Sequence, residues 1–167
     1  MLIAHAPTGL LMAAVLIKLK PETVSWQRWY LMGAVMGLLP DLDMLWFYFV
    51  DHKQFHHHVY VPHWPIVWLG IAVVSVCWYR CCHSKLAAYA VLFVFFGMSH
   101  MVLDSVVGDI GWLKPWHDGL YAMFAVSNRY SPWQLNFIIH WSFAMELVLL
   151  VLLVWAVWQW RRKRLKS

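Results

Sequence analysis

Charge is what this sequence has least of. Only 13% of its 167 residues are Asp, Glu, Lys or Arg. A water-soluble globular domain carries about 25%, so an ordinary soluble fold is excluded. Cysteine is scarce too. Cys77, Cys81 and Cys82 are the full set, which cannot form a disulfide framework and has no second pair to complete a zinc site. No basic stretch precedes the first apolar run, Met1-Leu2-Ile3-Ala4-His5, so no cleavable signal peptide is expected. Basic residues form no face along the chain, and no internal repeat is present. Five of the thirteen Lys and Arg residues fall in 161–167. Such a tail reads as a membrane stop and cytoplasmic anchor, and no nucleic-acid partner is expected.

Apolar residues are abundant: 62% of the chain is hydrophobic, with a mean hydropathy of +0.58. They gather in five runs, 3–17, 29–50, 64–79, 86–107 and 137–160. The runs are continuous instead of alternating, and in lipid a single segment satisfies its backbone only as a helix. The first run is short of the roughly 20 residues a crossing needs. The expected fold is an all-α, polytopic membrane bundle of about five transmembrane helices, a single integral-membrane domain over 1–167 with the basic tail at 161–167. The partner is the lipid bilayer.

Loop charges orient the bundle. Lys18, Lys20, Arg28, Arg80, Lys85 and the tail fall on one side, against Lys53, Lys114 and Arg129 on the other. By the positive-inside rule the C-terminus lies in the cytoplasm and the N-terminus outside, in an inner membrane. The tryptophans fit interfacial belts and packing, with Trp29 near the inner boundary and Trp68 near the outer one.

That orientation gathers nine of the ten histidines at the outer face, leaving only His83 inside. Ionisable groups are costly in hydrocarbon and mark function there. His100 and Asp104 are four apart, so on a helix they share a face and can reach one ion. Pro40-Asp41-Leu42-Asp43 interrupts the second run; Pro40 breaks the backbone ladder, and two close carboxylates favour a cation between them. The loop 55–65 carries His56, His57, His58 and His63. Consecutive histidines cannot all face one ion, so His58 and His63 are the expected ligands, with His57 as a substitute or supporting group. His5 opens the first run. Imidazole and carboxylate together are the ligand set of a divalent metal such as zinc. The expected metal ligands are His5, Asp41, Asp43, His58, His63, His100 and Asp104. Glu146 and His117 rank below them. The stretch 119–126 is apolar enough to lie on the membrane surface or cover a site. Polar groups that merely glue helices are a plainer explanation, but seven at one face is more than gluing needs.

These motifs resemble the YdjM-like family of LexA-regulated, inner-membrane-associated metal-dependent hydrolases. The matching residues are His5 with Gly9, Pro40 to Asp43, His58 with His63, and Gly97, Ser99, His100 and Asp104, over 1 to about 116. Where the family has Arg-Gly and Thr-His-Ser, this chain has Val59-Tyr60 and Pro62-His63-Trp64. More distantly, the His-x-x-x-Asp with upstream Asp and His is similar to the sites of zinc-dependent phospholipase C and P1-type nucleases. The resemblance implies hydrolysis of a phosphoester, in a lipid or lipid-linked substrate because the site opens at the outer leaflet. One to three divalent ions, zinc by preference, would serve as cofactor, with Asp41 or His140 as the catalytic base. The alternative is a non-catalytic metal-binding membrane protein or sensor. A transporter is disfavoured, since the inner halves of the runs carry almost no polar groups.

Overall fold

The computed structural model describes residues 3–164; Met1, Leu2 and the last three positions of the basic tail lie outside the described residues. Among those described, the chain forms α1 His5–Val15, α2 Trp26–Leu38, α3 Asp43–Phe49, α4 Pro65–Cys82, α5 Lys85–Asp104, α6 Gln134–Ile139 and α7 Ser142–Arg164. The only strand-like pairing among them is an isolated bridge between Ile110 and Tyr121. The fold is therefore the all-helical membrane bundle expected from hydropathy. Helices α4, α5 and α7 are each long and apolar enough to cross a membrane. The pair α2 and Pro40–Phe49 passes the same test as one broken span. Helix α1, even with the 3-10 turn Leu16–Leu19, is shorter than a crossing.

Local sequence explains the ends. Ser25 caps α2 by accepting from the Arg28 amide, and Ser84 caps α5 by accepting from the Ala87 amide. An N-cap oxygen satisfies one of the free amides of the first turn. Between α4 and α5, His83 adopts the left-handed conformation, which ends α4 and leaves room for only Ser84 before α5 begins. Pro40 cannot continue the α2 ladder. A 3-10 turn, Pro40–Leu42, follows it, and the axis bends by 51° before α3.

The bundle is built around α5. Half of its membrane window is buried, against 11% for that of α7, so α7 stands at the edge. Helices α1 and α2 approach through glycines. A Cβ on Gly9 would lie 2.4 Å from the Gly33 carbonyl oxygen, and one on Gly37 would lie 2.7 Å from that of His5. Small residues at four-residue spacing allow such close backbone contact in membranes. Trp29 is not a belt residue: it is fully buried with Ala13, Met36, Leu92 and Phe96, and its indole donates to the Ala13 carbonyl at 2.9 Å. Trp68 is also buried and donates to the Pro62 carbonyl at 2.7 Å. Packing and a hydrogen bond, both stronger than interfacial preference, decide these two positions.

Candidate metal centre

Four elements bring the polar residues together at one end of the bundle. Helix α1 begins with His5, and the turn after α2 carries Asp41. The 3-10 turns His57–Val59 and Val61–His63 carry His58 and His63. The last turn of α5 carries His100 and Asp104. The histidine loop is pinned from both sides. The Trp64 indole donates to the Val59 carbonyl at 2.9 Å, and the Tyr60 hydroxyl donates to the Asp51 carboxylate. Val59-Tyr60 and Trp64, which depart from the family's motif, thus hold the loop that presents His58 and His63.

Three of the four imidazoles are oriented by their Nδ1 atoms. His100 Nδ1 donates to the Gly37 carbonyl at 3.0 Å, and His63 Nδ1 donates to Asp43 Oδ2 at 2.6 Å. His58 Nδ1 donates to the Gly108 carbonyl. Carbonyls and carboxylates only accept, so each Nδ1 carries the proton and each Nε2 is left with a lone pair. The Gly37 carbonyl is available because it lies in the last turn of α2, where carbonyls have no helical partner. Gly108 must be small: a Cβ there would lie 2.9 Å from His58 Cε1.

Those Nε2 atoms converge on two carboxylates. His100 Nε2 lies 3.1 Å from Asp104 Oδ2 and 3.3 Å from Asp41 Oδ1. His5 Nε2 lies 3.3 Å from Asp104 Oδ1 and 4.0 Å from Asp41 Oδ2. His58 Nε2 is 3.6 Å from Asp104 Oδ2, and His63 Nε2 is 3.7 Å from Asp41 Oδ1. The His5 and His100 rings stack, with centroids 3.8 Å apart. Only Asp41 among the six has appreciable exposure, 30% of its side chain.

This arrangement fits a divalent cation on its own chemistry. Lone pairs facing carboxylate oxygens repel unless a proton or cation lies between them, and the Nε2 atoms of His63 and His100 are buried with no hydrogen-bond partner. Two ligand atoms about 2.0–2.1 Å from one tetrahedral ion stand about 3.3 Å apart, within the 3.1–4.0 Å separations here. The ligand atoms of Asp41, His63, His100 and Asp104 all lie within 4.8 Å of one another, as do those of His57, His58 and His63. Burial, opposed by Asp104, holds the His58 imidazole well below its ordinary pKa, so the ring is neutral and able to ligate. For His63 burial acts downward as well, but the neighbouring Asp41 and Asp43 carboxylates outweigh it and the net shift is upward, so with no cation between them a proton is drawn to the Nε2 that faces Asp41.

Of the residues expected from sequence, His5, Asp41, His58, His63, His100 and Asp104 come together. Asp43 stands one step behind, bonded to His63 Nδ1, with its other oxygen 3.5 Å from His57 Nδ1. His140 does not join them. It sits between α6 and α7 with Nδ1 bonded to the Ser142 hydroxyl at 2.9 Å, and it neither lines the adjoining cavity nor belongs to either ligand group. The carbonyls of Gly37 and Gly108 were beyond sequence reasoning, since nothing in a glycine announces an acceptor. Glu146, ranked low from sequence, is buried in α7 and accepts from the amides of Ile3 at 2.5 Å and Ala4 at 3.0 Å. It caps the start of α1, directly before His5.

A model describing the YdjM inner membrane protein family matches residues 1–165. The chain belongs to the YdjM inner membrane protein family. No curated protein and no solved structure matches it. Family membership and the helices α2–α3, α4, α5 and α7 agree on a membrane protein, with a buried His/Asp group able to hold a metal ion.

Proposed function

We infer that this member of the YdjM family is a membrane-embedded, metal-dependent hydrolase acting on a phosphoester in a lipid or lipid-linked substrate. The observation that carries the reading is the convergence of four imidazole Nε2 atoms on the carboxylates of Asp41 and Asp104. The carboxylate oxygens divide between two groups. Asp104 Oδ1 and Asp41 Oδ2 face His5, while Asp104 Oδ2 and Asp41 Oδ1 face His100, with His58 and His63 alongside. Two carboxylates shared in this way favour two neighbouring ions over one. Zinc suits the nitrogen and oxygen donors, as it does in many hydrolytic sites.

When bound, such ions lower the pKa of a water to about 7 and withdraw charge from a phosphoryl group. The protein's own contribution is orientation. Asp43, Gly37 and Gly108 fix the rings of His63, His100 and His58 so that no ligand must turn when the site fills. Asp41, partly exposed, lines the cavity beside the cluster, so the ion-holding face is open to water and substrate there. His140 is left without a role at the site.

The experiment is turnover of bis(p-nitrophenyl) phosphate by the purified protein in detergent, with zinc or manganese supplied. Hydrolysis is expected in the natural protein and its loss in His100→Ala and Asp104→Ala. Metal retained without hydrolysis, across phosphomonoesters and phosphodiesters, would instead favour the non-catalytic metal-binding or sensor role.

A further inference from the structure

Beside the cluster lies an open cavity of about 470 Å³, within the range of small-molecule sites. Its floor includes Asp41, His58 and Asp104, the face of the candidate metal centre. Its walls are mostly apolar, with Met44 and Phe47 from α3 on one side and Phe124 and Phe137 on the other, and Asp109 and Asn128 among the polar groups. Among the described residues no Lys or Arg lines it, and His56 and His57 stand at its edge beside His58.

The far wall is a built surface. The amides of Met123 and Phe124 donate to the carbonyls of Ser105 and Val106 at 2.7 and 3.0 Å, continuing from the end of α5. The buried Asn136 side chain accepts from the Arg129 and Tyr130 amides and donates to the Tyr130 and Trp133 carbonyls. Its amide has no capacity left for a ligand, which marks it as a brace.

The cavity separates α3 from α6. Helix α3 packs on the turns beside it and α6 packs on α7. On their other faces both helices expose large apolar groups: Leu45 and Phe49 on α3, Ile138 and Ile139 on α6. In a membrane protein such faces meet lipid. The cavity is thus flanked on both sides by helices whose outer faces are exposed and apolar.

We propose that the cavity is a lateral portal, through which a membrane phospholipid enters between α3 and α6. Its single phosphate group is presented to Asp41, His58 and Asp104, and an acyl chain lies between Phe47 and Phe137. The portal rests on the metal-centre reading only for where the head group goes. It makes the substrate a lipid whose acyl chain is held by the protein, and disfavours a soluble polyanion.

The test is photolabelling. The metal-loaded protein is reconstituted in phosphatidylcholine vesicles containing phosphatidylglycerol with a diazirine near the end of one acyl chain. Crosslinks are then mapped to single residues. Label is expected on the inward-facing Phe47 and Phe137 as well as on the lipid-facing Leu45 and Ile138. Two substitutions that fill the cavity from opposite walls, Ala125→Trp and Met44→Trp, are each checked for metal content. They should lose label at Phe47 and Phe137 and keep it at Leu45 and Ile138. Label confined to Leu45 and Ile138 in the natural protein, or inward label that survives in both variants, overturns the portal. The hydrolase reading is judged separately, by turnover of bis(p-nitrophenyl) phosphate in the same sample. Turnover without inward label refutes the portal alone. Inward label without turnover supports the portal and refutes the hydrolase.

Discussion

Asp41 and Asp43 are the same residue type two positions apart, yet they face different partners. Asp41 meets imidazole Nε2 atoms, where a cation fits, and Asp43 meets His63 Nδ1 and His57 Nδ1. Sequence could place both beside a metal but could not rank them, because a ligand and a ligand's hydrogen-bond partner are drawn from the same residues. The difference has a measurable consequence. Asp43→Asn still offers an oxygen to His63 Nδ1 but loses the charge, and metal affinity should fall about 10–100-fold with the protein still folded. Chelator competition measures it; an unchanged affinity would remove Asp43 from the supporting set. His100 with Asp104 was legible because four-residue spacing on a helix fixes relative direction. His58 and His63 were legible as a pair, but the turns that aim them depend on Trp64 and Tyr60, whose bonds no periodicity reveals.

At the scale of elements, apolar runs located the helices and missed their breaks unequally. The bend after α2 was announced by Pro40. The break at 140–141, which divides the last run into α6 and α7, has no Pro or Gly to announce it; there His140 turns extended and bonds the Ser142 hydroxyl. The placement of α1 is also tertiary. Its start is held by the glycine contact with α2 and by Glu146, the bond that ties the peripheral α7 to the site. Removing that carboxylate leaves the buried Ala4 amide unpaired, at a cost of about 1–3 kcal/mol. Glu146→Ala is therefore expected to lower thermal stability in detergent and to weaken metal binding on the His5 side. Glu146→Gln keeps an acceptor oxygen and should restore most of both. Equal behaviour of the two variants, with metal binding intact, would make Glu146 a helix tether with no bearing on the centre.

For the whole molecule, the antiparallel order of the helices puts the metal-centre residues at one end of the bundle. The turn after α1, the α4–α5 connection and the end of α7 lie at the other, and they carry most of the Lys and Arg. By the positive-inside rule we propose that the centre faces away from the cytoplasm. Reporter fusions in the 51–63 loop and after α7 should read outside and cytoplasm respectively; the reverse would invert the side from which the site is served. Hydropathy made the membrane class plain. The cavity was not legible, because the residues that wall it come from α3 and from the loop and helix of 123–137, distant segments brought together only by the fold.

The proposed function depends on cations being held between these imidazoles and carboxylates, and metal stoichiometry tests that most directly. Elemental analysis of the purified protein after dialysis is expected to give at least one zinc or manganese per chain, and little or none for His100→Ala and Asp104→Ala. A natural protein that stays metal-free after incubation with these ions, or variants that keep their full complement, would contradict the metal centre itself.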